Sequence, residues 1–375
     1  MTPVVGIDAT PLLGPRTGVG VFVDGLVSAL AGRPDLTLRA YGLTARGFRR
    51  LGAVLPAGMA LRGLPLPASV ALRAWAAVDI PTIEAWSGRV DVVHGTNFVV
   101  PPSRRAARLV SVHDLTSLHF PELCPPAARR YPDLVRRAVG QGAWVHAVSE
   151  SVAAETVEHL GADPDRVRVI YSGAPQPTNL APPAGHAGER TRGRRYILAL
   201  GTVEPRKNLP ALVAAFDQVA DDHPDLELHI AGPPGWGEGA LTRAIEAARH
   251  RRRIDRLGWV PDPADAVAGA AVVAYPSLYE GFGFPPLEAM AAGVPVVATA
   301  VAALPEVLGD AAILVAPGDI DSLAGALGRV LSDDALRARL IDAGRIRVTR
   351  YRWELTGEGF ARLYAQLAAT TGPHR

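Results

Sequence analysis

The feature that most constrains the fold is an alternation of short apolar, β-rich runs with longer stretches whose apolar residues have helical spacing. Such alternation is typical of βαβ units around parallel sheets, so the sequence predicts an α/β protein. The first half predicts strands at Val4–Asp8, Leu36–Tyr41, Val90–His94, Arg108–His113, Ala143–Val148 and Val167–Ile170. The second half predicts strands at Tyr196–Leu200, Leu226–Ala231, Ala271–Tyr275, Val294–Ala298 and Ala312–Val315.

One segment interrupts this pattern. The run APQPTNLAPPAGHAGERTRGRR, residues 174–195, is rich in Pro and Gly and has no apolar period. We therefore predict two Rossmann-like, doubly wound domains, at residues 1–175 and 195–352, joined by a linker at 176–194. A last helix from about Trp353 to Ala369 occupies the terminal segment 353–375. Two such domains are expected to enclose a cleft at the carboxyl ends of their strands, where α/β sheets bind ligands.

Composition excludes several classes of protein. With 48% hydrophobic and 20% charged residues the chain is globular, and a single cysteine, Cys124, rules out a disulfide framework. The start, MTPVVGIDAT, lacks the features of a signal peptide, and no apolar stretch approaches the ~20 residues of a spanning helix. We therefore expect a cytoplasmic protein. A net charge of +2 is too small to indicate a nucleic-acid partner.

The basic residues are unusual in kind and in distribution. Of 39 basic residues, 38 are Arg and one is Lys207. Lys207 follows Arg206 in LGTVEPRKNLP, at a predicted strand-to-helix junction with Asn208 as the expected N-cap. Two adjacent cations at a helix N-terminus favour a clamp for a diphosphate, and a solvated basic turn is the alternative.

The segment YPSLYEGFGFPPLEAMAAGVP, residues 275–295, carries the strongest chemical pattern. A strand is followed by a loop with Gly281 and Gly283, and two prolines suit the first turn of a helix. Backbone N–H groups there would form an anion pocket. Glu280 precedes this pocket, and Glu288 is expected in the first helical turn, so that both carboxylates face hydroxyls of one ligand. Alternatively, Glu288 only complements the helix dipole and Glu280 is a solvated loop residue.

These two segments resemble those of retaining glycosyltransferases of family 4, in particular a branch with many bacterial mannosyltransferases. EGFGFPPLE matches the family's Glu-x7-Glu motif and EPRKN its diphosphate clamp. The likeness extends over nearly the whole chain through GIDATPLLGPRTGVG, VDVVHGTNFVVPP, VSVHDLTSLHFPE, HAVSESVAAETV, RVRVIYSG, LGWVPD and LPEVLGDAAILVAPGD. It implies a GT-B fold, in which two Rossmann-like domains face each other across a cleft and the last helix, residues 353–375, crosses back to the first domain.

The resemblance implies that the second domain binds a sugar nucleotide, and it assigns a role in that binding to several residues. Arg206 and Lys207 would hold and stabilise the leaving diphosphate, Glu288 would bind the ribose and Glu280 the donor sugar. Val260 would lie at the base. The remaining donor-binding residues that it implies are Gly201, Gly281, Phe282, Gly283 and Phe284.

In the first domain, Gly18 and Gly20 are predicted in the loop after the first strand, close to the donor phosphates or the acceptor. The run lacks the third glycine of a dinucleotide fingerprint, which disfavours an NAD site. His113 would lie beside the transferred sugar, whereas a purely structural role is the alternative. Asp114 and Asn97 are further candidates for the cleft.

The implied reaction is the transfer of a hexose, best guessed as mannose from GDP-mannose, to an acceptor hydroxyl with retention. Glycan, lipid-linked and small-molecule acceptors all remain open. The resemblance implies neither a cofactor nor a metal, because such enzymes stabilise the leaving diphosphate with cations and helix dipoles. Asp163-Pro164-Asp165 looks like a metal-binding Asp-x-Asp, but it lies at a predicted helix-to-strand turn, where Asp and Pro are common.

Alternatives to this interpretation are a UDP-sugar transferase, a sugar-nucleotide epimerase of the same architecture and a non-catalytic sugar-binding protein. Between Arg33 and Arg137 there are 15 Arg against 7 acidic residues, which indicates either a peripheral contact with anionic membrane or a solvated surface.

Overall fold

The computed structural model describes residues 2–14, 17–176 and 195–370. These form two compact units: Met1–Gly173 with Trp353–Arg375, and Ala174–Arg352. The predicted linker, residues 176–194, lies outside the described residues except for Gln176. Each unit contains one sheet, and every strand pairing in the described residues is parallel.

The first unit has a seven-stranded sheet in the order β3-β2-β1-β4-β5-β6-β7. Its strands are β1 (Val4–Asp8), β2 (Thr37–Tyr41), β3 (Ala60–Leu61), β4 (Val92–Gly95), β5 (Ala107–Val112), β6 (Trp144–Ala147) and β7 (Val167–Val169). Its first helices are α1 (Val19–Leu30), α2 (Phe48–Val54), α3 (Ala68–Ala77), α4 (Ile83–Ser87), α5 (Thr116–His119), α6 (Tyr131–Gly140) and α7 (Glu150–Leu160). Central strands such as β4 are buried along their whole length, because helices cover both faces of a parallel sheet.

The second unit has a six-stranded sheet in the order β10-β9-β8-β11-β12-β13. The strands are β8 (Tyr196–Leu200), β9 (Glu227–Ala231), β10 (Ile254–Gly258), β11 (Val272–Tyr275), β12 (Val296–Thr299) and β13 (Ile313–Val315). The helices are α8 (Leu209–Asp222), α9 (Glu238–Ala247), α10 (Ala264–Ala268), α11 (Phe284–Ala291), α12 (Leu304–Leu308), α13 (Ile320–Ser332) and α14 (Asp334–Val348). The α/β, doubly wound fold class predicted from the sequence is confirmed by these two sheets.

Two strands escaped the sequence analysis, and both lie at sheet edges. β3 has only two residues, too few to show any alternation. β10, with the sequence IDRLG, is exposed at Asp255 and Arg256 because it pairs with β9 alone. An edge strand needs no continuous apolar run, so its polar sequence resembles a loop.

The last helix, α15 (Trp353–Thr370), belongs to the first unit. Gly25 on α1 allows it to approach closely, since a Cβ at that position would lie 2.3 Å from the ring of Trp353. Phe360 and Tyr364 anchor the helix against the sheet, with no exposed surface on either side chain.

A buried chain of hydrogen bonds fixes α15 to three strands. The carbonyl of Ile170 can only accept, so Nε2 of His146 carries the hydrogen and donates to it at 2.9 Å. Nδ1 of His146 therefore accepts from the Ser111 hydroxyl at 2.8 Å, and Ser111 accepts from Nε2 of His94 at 2.7 Å. Nδ1 of His94 then accepts from the Tyr364 hydroxyl at 2.7 Å. Burial lowers the pKa of His146 to about 3, which keeps this chain uncharged.

Candidate functional site

Each sheet has one point at which the chain order reverses, between β1 and β4 in the first unit and between β8 and β11 in the second. Loops leave in opposite directions there, and the crevice beyond the carboxyl ends of the strands is where such sheets bind ligands. The sequence-predicted site residues of the second unit are concentrated at its reversal point.

Arg206 and Lys207 end a 3-10 turn, Pro205–Lys207, which follows β8. The Nζ of Lys207 donates to the Tyr275 hydroxyl at 2.6 Å and to Oε1 of Glu280 at 2.6 Å. Arg206 lies 2.7 Å from the other oxygen of Glu280 through Nη1. Lys207 is 9% exposed and Glu280 6%. The two segments predicted separately from the sequence thus form one buried ionic cluster.

A second carboxylate completes this cluster. Oε1 of Glu204 accepts from Nη2 of Arg206 at 2.6 Å. The four ionised groups, Glu204, Arg206, Lys207 and Glu280, therefore carry two positive and two negative charges.

Pairing decides the ionisation of Glu280. Burial raises the pKa of its carboxyl, but Arg206 and Lys207 outweigh burial and lower that pKa to about 2. Burial lowers the pKa of the Lys207 ammonium, a change that the Glu280 charge opposes. Burial and the nearby Glu280 charge raise the pKa of Tyr275 well above its ordinary value, so its hydroxyl stays protonated. Glu280 is thus a buried carboxylate at every pH of interest and not the solvated loop residue of the alternative interpretation.

Backbone contacts hold the two loops together. The N–H of Leu278 donates to the carbonyl of Arg206 at 2.8 Å, and Nη1 of Arg206 donates to the carbonyl of Tyr279 at 2.8 Å. Gly201, with φ at +136°, leaves room for the lysine, since a Cβ there would lie 3.3 Å from Cε of Lys207. This positive φ strongly favours glycine, so Gly201 acts by shaping the site.

Helix α11 begins where the sequence predicts, with prolines among its first residues and Gly283 as its N-cap at φ +114°. The preceding residues Gly281 and Phe282 are buried. The Phe282 ring makes edge contacts with Phe284, at 5.2 Å between centroids, and with Tyr351 at 5.6 Å. The helix N-terminus and its loop therefore lie directly after the Glu280 cluster in the chain.

The prediction for Glu288 needs one correction. Gly283 caps the helix, so Glu288 is its fifth residue and lies beyond the first turn, which contains no acidic residue. Burial, with a smaller effect from Asp262, raises the pKa of its carboxyl. Within the described parts of the chain, no hydrogen bond or ion pair engages the Glu288 side chain. A half-buried, unpaired carboxylate suits a ligand hydroxyl better than a helix-dipole role.

Two other donor-side predictions meet different outcomes. Val260 is half-buried and follows the end of β10, at the carboxyl edge of the sheet. Asn208 occupies the N-cap position of α8, but its side chain accepts no capping hydrogen bond. Its backbone adopts φ 51°, a left-handed turn that Asn tolerates, and this explains the residue without a cap.

In the first unit, His113 and Asp114 follow β5 directly. Nε2 of His113 donates to the carbonyl of Thr96 at 2.7 Å, and burial lowers the pKa of its imidazole. The Asp114 carboxylate accepts the N–H of Thr116 at 2.9 Å, a local turn contact. Asn97 is half-buried in the loop after β4.

The glycine prediction is partly wrong. Gly18 is exposed, has φ +38° and is the N-cap of α1, but Gly20 lies inside that helix and is buried. Only Gly18 therefore stands in the loop after β1. The apolar residues that follow Gly18 made the start of the helix hard to place from sequence.

Three residues with functional geometry were not singled out. Glu204 and Tyr275 contact the cations, and Asp8 ends β1 beside the reversal point of the first sheet. Burial raises the pKa of Asp8 to about 6, against hydrogen bonds from Thr10. The signal available was position, because Asp8 and Tyr275 are the last residues of predicted strands.

No metal cluster occurs in residues 2–14, 17–176 and 195–370, since no three His, Cys, Asp or Glu side chains there are suitably grouped. Asp163 caps the short turn Pro164–Arg166 by accepting the N–H of Asp165 at 2.9 Å, a local structural contact. Of the helices that the structure describes, none has both the length and the apolar character to span a bilayer.

Several arginines of the basic first unit are engaged locally. Arg136 pairs with Asp133 at 3.1 Å and Arg137 with Asp79 at 3.0 Å. Arg108 donates to the side-chain and main-chain oxygens of Gln141.

Comparison with known proteins gives a consistent result. The sequence models described as "Glycosyltransferase Family 4" and "Glycosyl transferases group 1" match residues 16–175 and 187–347. The chain is 30% identical over 287 residues to O-antigen chain mannosyltransferase B of Escherichia coli, covering 73% of this chain and 74% of that protein. It is 39% identical over 179 residues to the phosphatidyl-myo-inositol mannosyltransferase of Mycolicibacterium smegmatis, covering 46% and 45%.

The fold has close counterparts among solved structures. Anabaena HepE, solved with UDP and glucose, aligns with a TM-score of 0.76 over 97% of this chain and 100% of that one, at 17% identity. At that identity the likeness concerns the fold, and it extends over both units.

Proposed function

The chain belongs to glycosyltransferase family 4 and has the GT-B fold, and from that premise we propose that it transfers a hexose, with retention, from a sugar nucleotide to an acceptor hydroxyl. The observation that carries the proposal is the pair of adjacent cations at the reversal point of the second sheet, the buried Lys207 and Arg206, whose side chain is 15% exposed. Buried cations next to a helix N-terminus suit a diphosphate better than any other common ligand.

We propose the following roles for residues of the second unit. Arg206 and Lys207 bind the diphosphate and stabilise the charge that develops on it as it leaves. The N–H groups around Gly281–Phe284 contribute at the start of α11. Glu288 accepts from the ribose hydroxyls, which suits its unpaired carboxylate, and Val260 lies against the base.

Mannose from GDP-mannose is the donor that we propose first, because similar proteins are named mannosyltransferases. A UDP-sugar is the second candidate, since a protein of the same fold was solved with UDP and glucose. The second unit has features that fit either nucleotide.

In the reaction the bond between the anomeric carbon and the leaving phosphate oxygen breaks, and a bond to the acceptor oxygen forms on the same face. The acceptor's proton passes to the departing phosphate oxygen. In this proposal Glu280 hydrogen-bonds the hydroxyls of the donor sugar and forms no covalent bond to it. The residues that we propose include no metal ligands.

The first unit supplies the acceptor side in this proposal. His113 lies beside the transferred sugar, and Gly18, Asn97 and Asp114 contribute to the acceptor surface in the loops that follow its strands. The acceptor is a growing glycan, a glycolipid or a small molecule. The arginine-rich surface suits peripheral contact with an anionic membrane, and the protein acts in the cytoplasm.

Thermal unfolding of the metal-free protein tests the donor proposal. We expect GDP, UDP or one of their sugar conjugates to raise Tm, since a ligand at 100 times its Kd stabilises by ~2.7 kcal/mol. Lys207→Ala should abolish the shift, whereas Arg337→Ala, at an exposed ion pair in the same unit, should retain it. No shift with any nucleotide would contradict the proposed donor site.

Stereochemistry and metal dependence are tested by turnover. NMR of the product formed from the donor that binds should show the anomeric configuration retained, with a rate unaffected by EDTA. Inversion, or loss of turnover with EDTA, would overturn those parts of the proposal.

A further inference from the structure

The cations of the donor site are already neutralised from within. Lys207 and Arg206 contact the two oxygens of Glu280 at 2.6 and 2.7 Å, and Glu204 engages Arg206 at 2.6 Å. Two positive and two negative charges leave the cluster with no net charge. A diphosphate therefore finds no free cation at this site as the structure shows it.

We propose that Glu280 is an internal counter-anion that competes with the donor diphosphate for Arg206 and Lys207, so that the site selects a complete sugar nucleotide over a free nucleoside diphosphate. This inference rests on the proposed function. It assigns Glu280 a part in choosing between substrate and product, in addition to contact with the sugar.

The argument depends on what Glu280 meets when a diphosphate displaces it. Its side chain is 8% exposed, so water cannot replace the two cations freely. A buried carboxylate without donors is strongly destabilised. A sugar on the terminal phosphate offers hydroxyl donors to Glu280, whereas a nucleoside diphosphate carries hydroxyls only on its ribose, which we place at Glu288. The sugar nucleotide thus compensates for the displacement that both ligands cause.

The same competition assists release of the product. Once the sugar has moved to the acceptor, Glu280 has lost its hydroxyl partners while the diphosphate still engages the cations. Return of Glu280 to Arg206 and Lys207 then favours departure of the diphosphate. The nucleoside diphosphate product therefore inhibits the enzyme less than it would at a site with the same two cations and no competing carboxylate.

Calorimetric titration of the full chain tests this inference, with GDP against GDP-mannose and UDP against UDP-glucose. In Glu280→Gln the competing charge is gone but an oxygen and an amide remain for the sugar. We expect the diphosphate to bind about tenfold tighter or more, as for hydrogen bonds to charged groups. The Kd of the sugar nucleotide should change less. The Kd of the diphosphate divided by that of the sugar nucleotide should therefore fall.

Glu204→Gln is the matched control, because it removes one negative charge from the same cluster but contacts only Arg206. It should strengthen both ligands by a similar factor and leave their ratio unchanged. An unchanged ratio in Glu280→Gln, or an equal shift in both variants, would overturn the inference. Failure of all four ligands to bind the wild type would instead refute the proposed function.

Glu280→Asp protects the test against misfolding of the glutamine variant, since it keeps the buried charge near its cations. Its shorter carboxylate should lose the sugar hydroxyls while still opposing the diphosphate. We expect weaker sugar-nucleotide binding with little change for the diphosphate. Diphosphate binding as tight as in Glu280→Gln would contradict competition by the buried charge, since Glu280→Asp keeps that charge.

Discussion

The two sheets present buried carboxylates at corresponding points, but in opposite electrostatic settings. The carboxylate of Asp8, which ends β1, accepts hydrogen bonds only from Thr10 among the described residues, and burial raises its pKa to about 6. Glu280, in the loop after β11, faces two cations that lower its pKa to about 2. Burial alone favours the neutral acid, and paired burial fixes the charge. At these two positions, therefore, the second unit stabilises a buried negative charge, whereas the first unit disfavours one.

Among the substitutions that test this difference between the units, replacement of Lys207 should have the largest effect, a loss of activity. Lys207→Met removes a cation that we propose stabilises the leaving diphosphate, and we expect kcat/KM to fall by about 10²–10³, as for a lost transition-state donor. Steady-state kinetics with the donor that binds measure it. Arg337→Met, at an exposed pair in the same unit, should be close to wild type. A loss below tenfold would show that Arg206 suffices.

Glu280→Gln should lower the stability of the second unit by about 3 kcal/mol at pH 7. The pKa of the Glu280 carboxyl falls from 4.5 to about 2 on folding, and a difference of one between the folded and unfolded pKa corresponds to roughly 1.36 kcal/mol. Because the folded pKa is the lower one, this stability is present above pH 4.5 and is lost as pH falls towards 2. Urea unfolding of the wild type and the variant at pH 7 measures this loss, and the difference between them should shrink as pH falls from 4.5 towards 2.

The control for that prediction is Glu238→Gln, whose partner Arg256 is 38% exposed. An exposed pair contributes ~0–1 kcal/mol, so this variant should stay close to wild type. Equal losses in the two variants would mean that burial of the Glu280 cluster has no energetic consequence.

Asp8→Asn should raise the stability of the protein at high pH, whereas Glu280→Gln lowers it. The pKa of Asp8 rises from 3.8 to about 6 on folding, so its contribution to stability is complete below pH 3.8 and is lost as pH rises through 6. Above pH 6 the buried charge costs about 3 kcal/mol. We therefore expect Asp8→Asn to be more stable than wild type at pH 8, by up to that amount.

At pH 4 the same variant should differ little from wild type, because folded Asp8 is then protonated. Asp133→Asn, whose side chain is 81% exposed, should show no such pH dependence. Urea unfolding at both pH values provides the comparison. If Asp8→Asn were less stable than the wild type at pH 8, the ionised Asp8 carboxylate would be stabilising in the folded protein. That result would contradict the difference proposed between Asp8 and Glu280.

Much of the second unit could be predicted from the sequence because charge and backbone chemistry coincide there. The single lysine, the glycines and the prolines each mark a position that few residues can fill, and the structure gathers Arg206, Lys207 and Glu280 at one strand edge. That Glu280 would pair with both cations could not be predicted, since a spacing of eight residues to Glu288 says nothing about contacts with a segment 73 positions away.

Less of the first unit could be predicted. Asp8 looked like the end of a strand, and the tertiary burial that raises its pKa leaves no local pattern. Gly20 was placed in a loop because GVGVFV has no capping residue that marks the start of α1. β10 in the second unit escaped for a related reason, since an edge strand buries too little to need an apolar sequence.

His113→Gln should have the smallest effect. Burial lowers the pKa of its imidazole, so His113 acts as a neutral donor to the carbonyl of Thr96 at 2.7 Å. A Gln amide can also donate to that carbonyl, so the substitution preserves this contact. We therefore expect kcat/KM to fall by about tenfold or less, that is, by no more than the loss of one neutral hydrogen bond would cause. His113→Ala, without a donor, should lose more than His113→Gln.

The pH profile separates this neutral role from an ionised one. If His113 is neutral throughout, the ratio of wild-type to His113→Gln activity stays constant between pH 6 and 8. A ratio that grows as pH falls through that range would mean that imidazolium contributes to the reaction. The first unit would then also have a charged side chain, His113, directly after a strand. The two units would differ only in how many charged groups they place there.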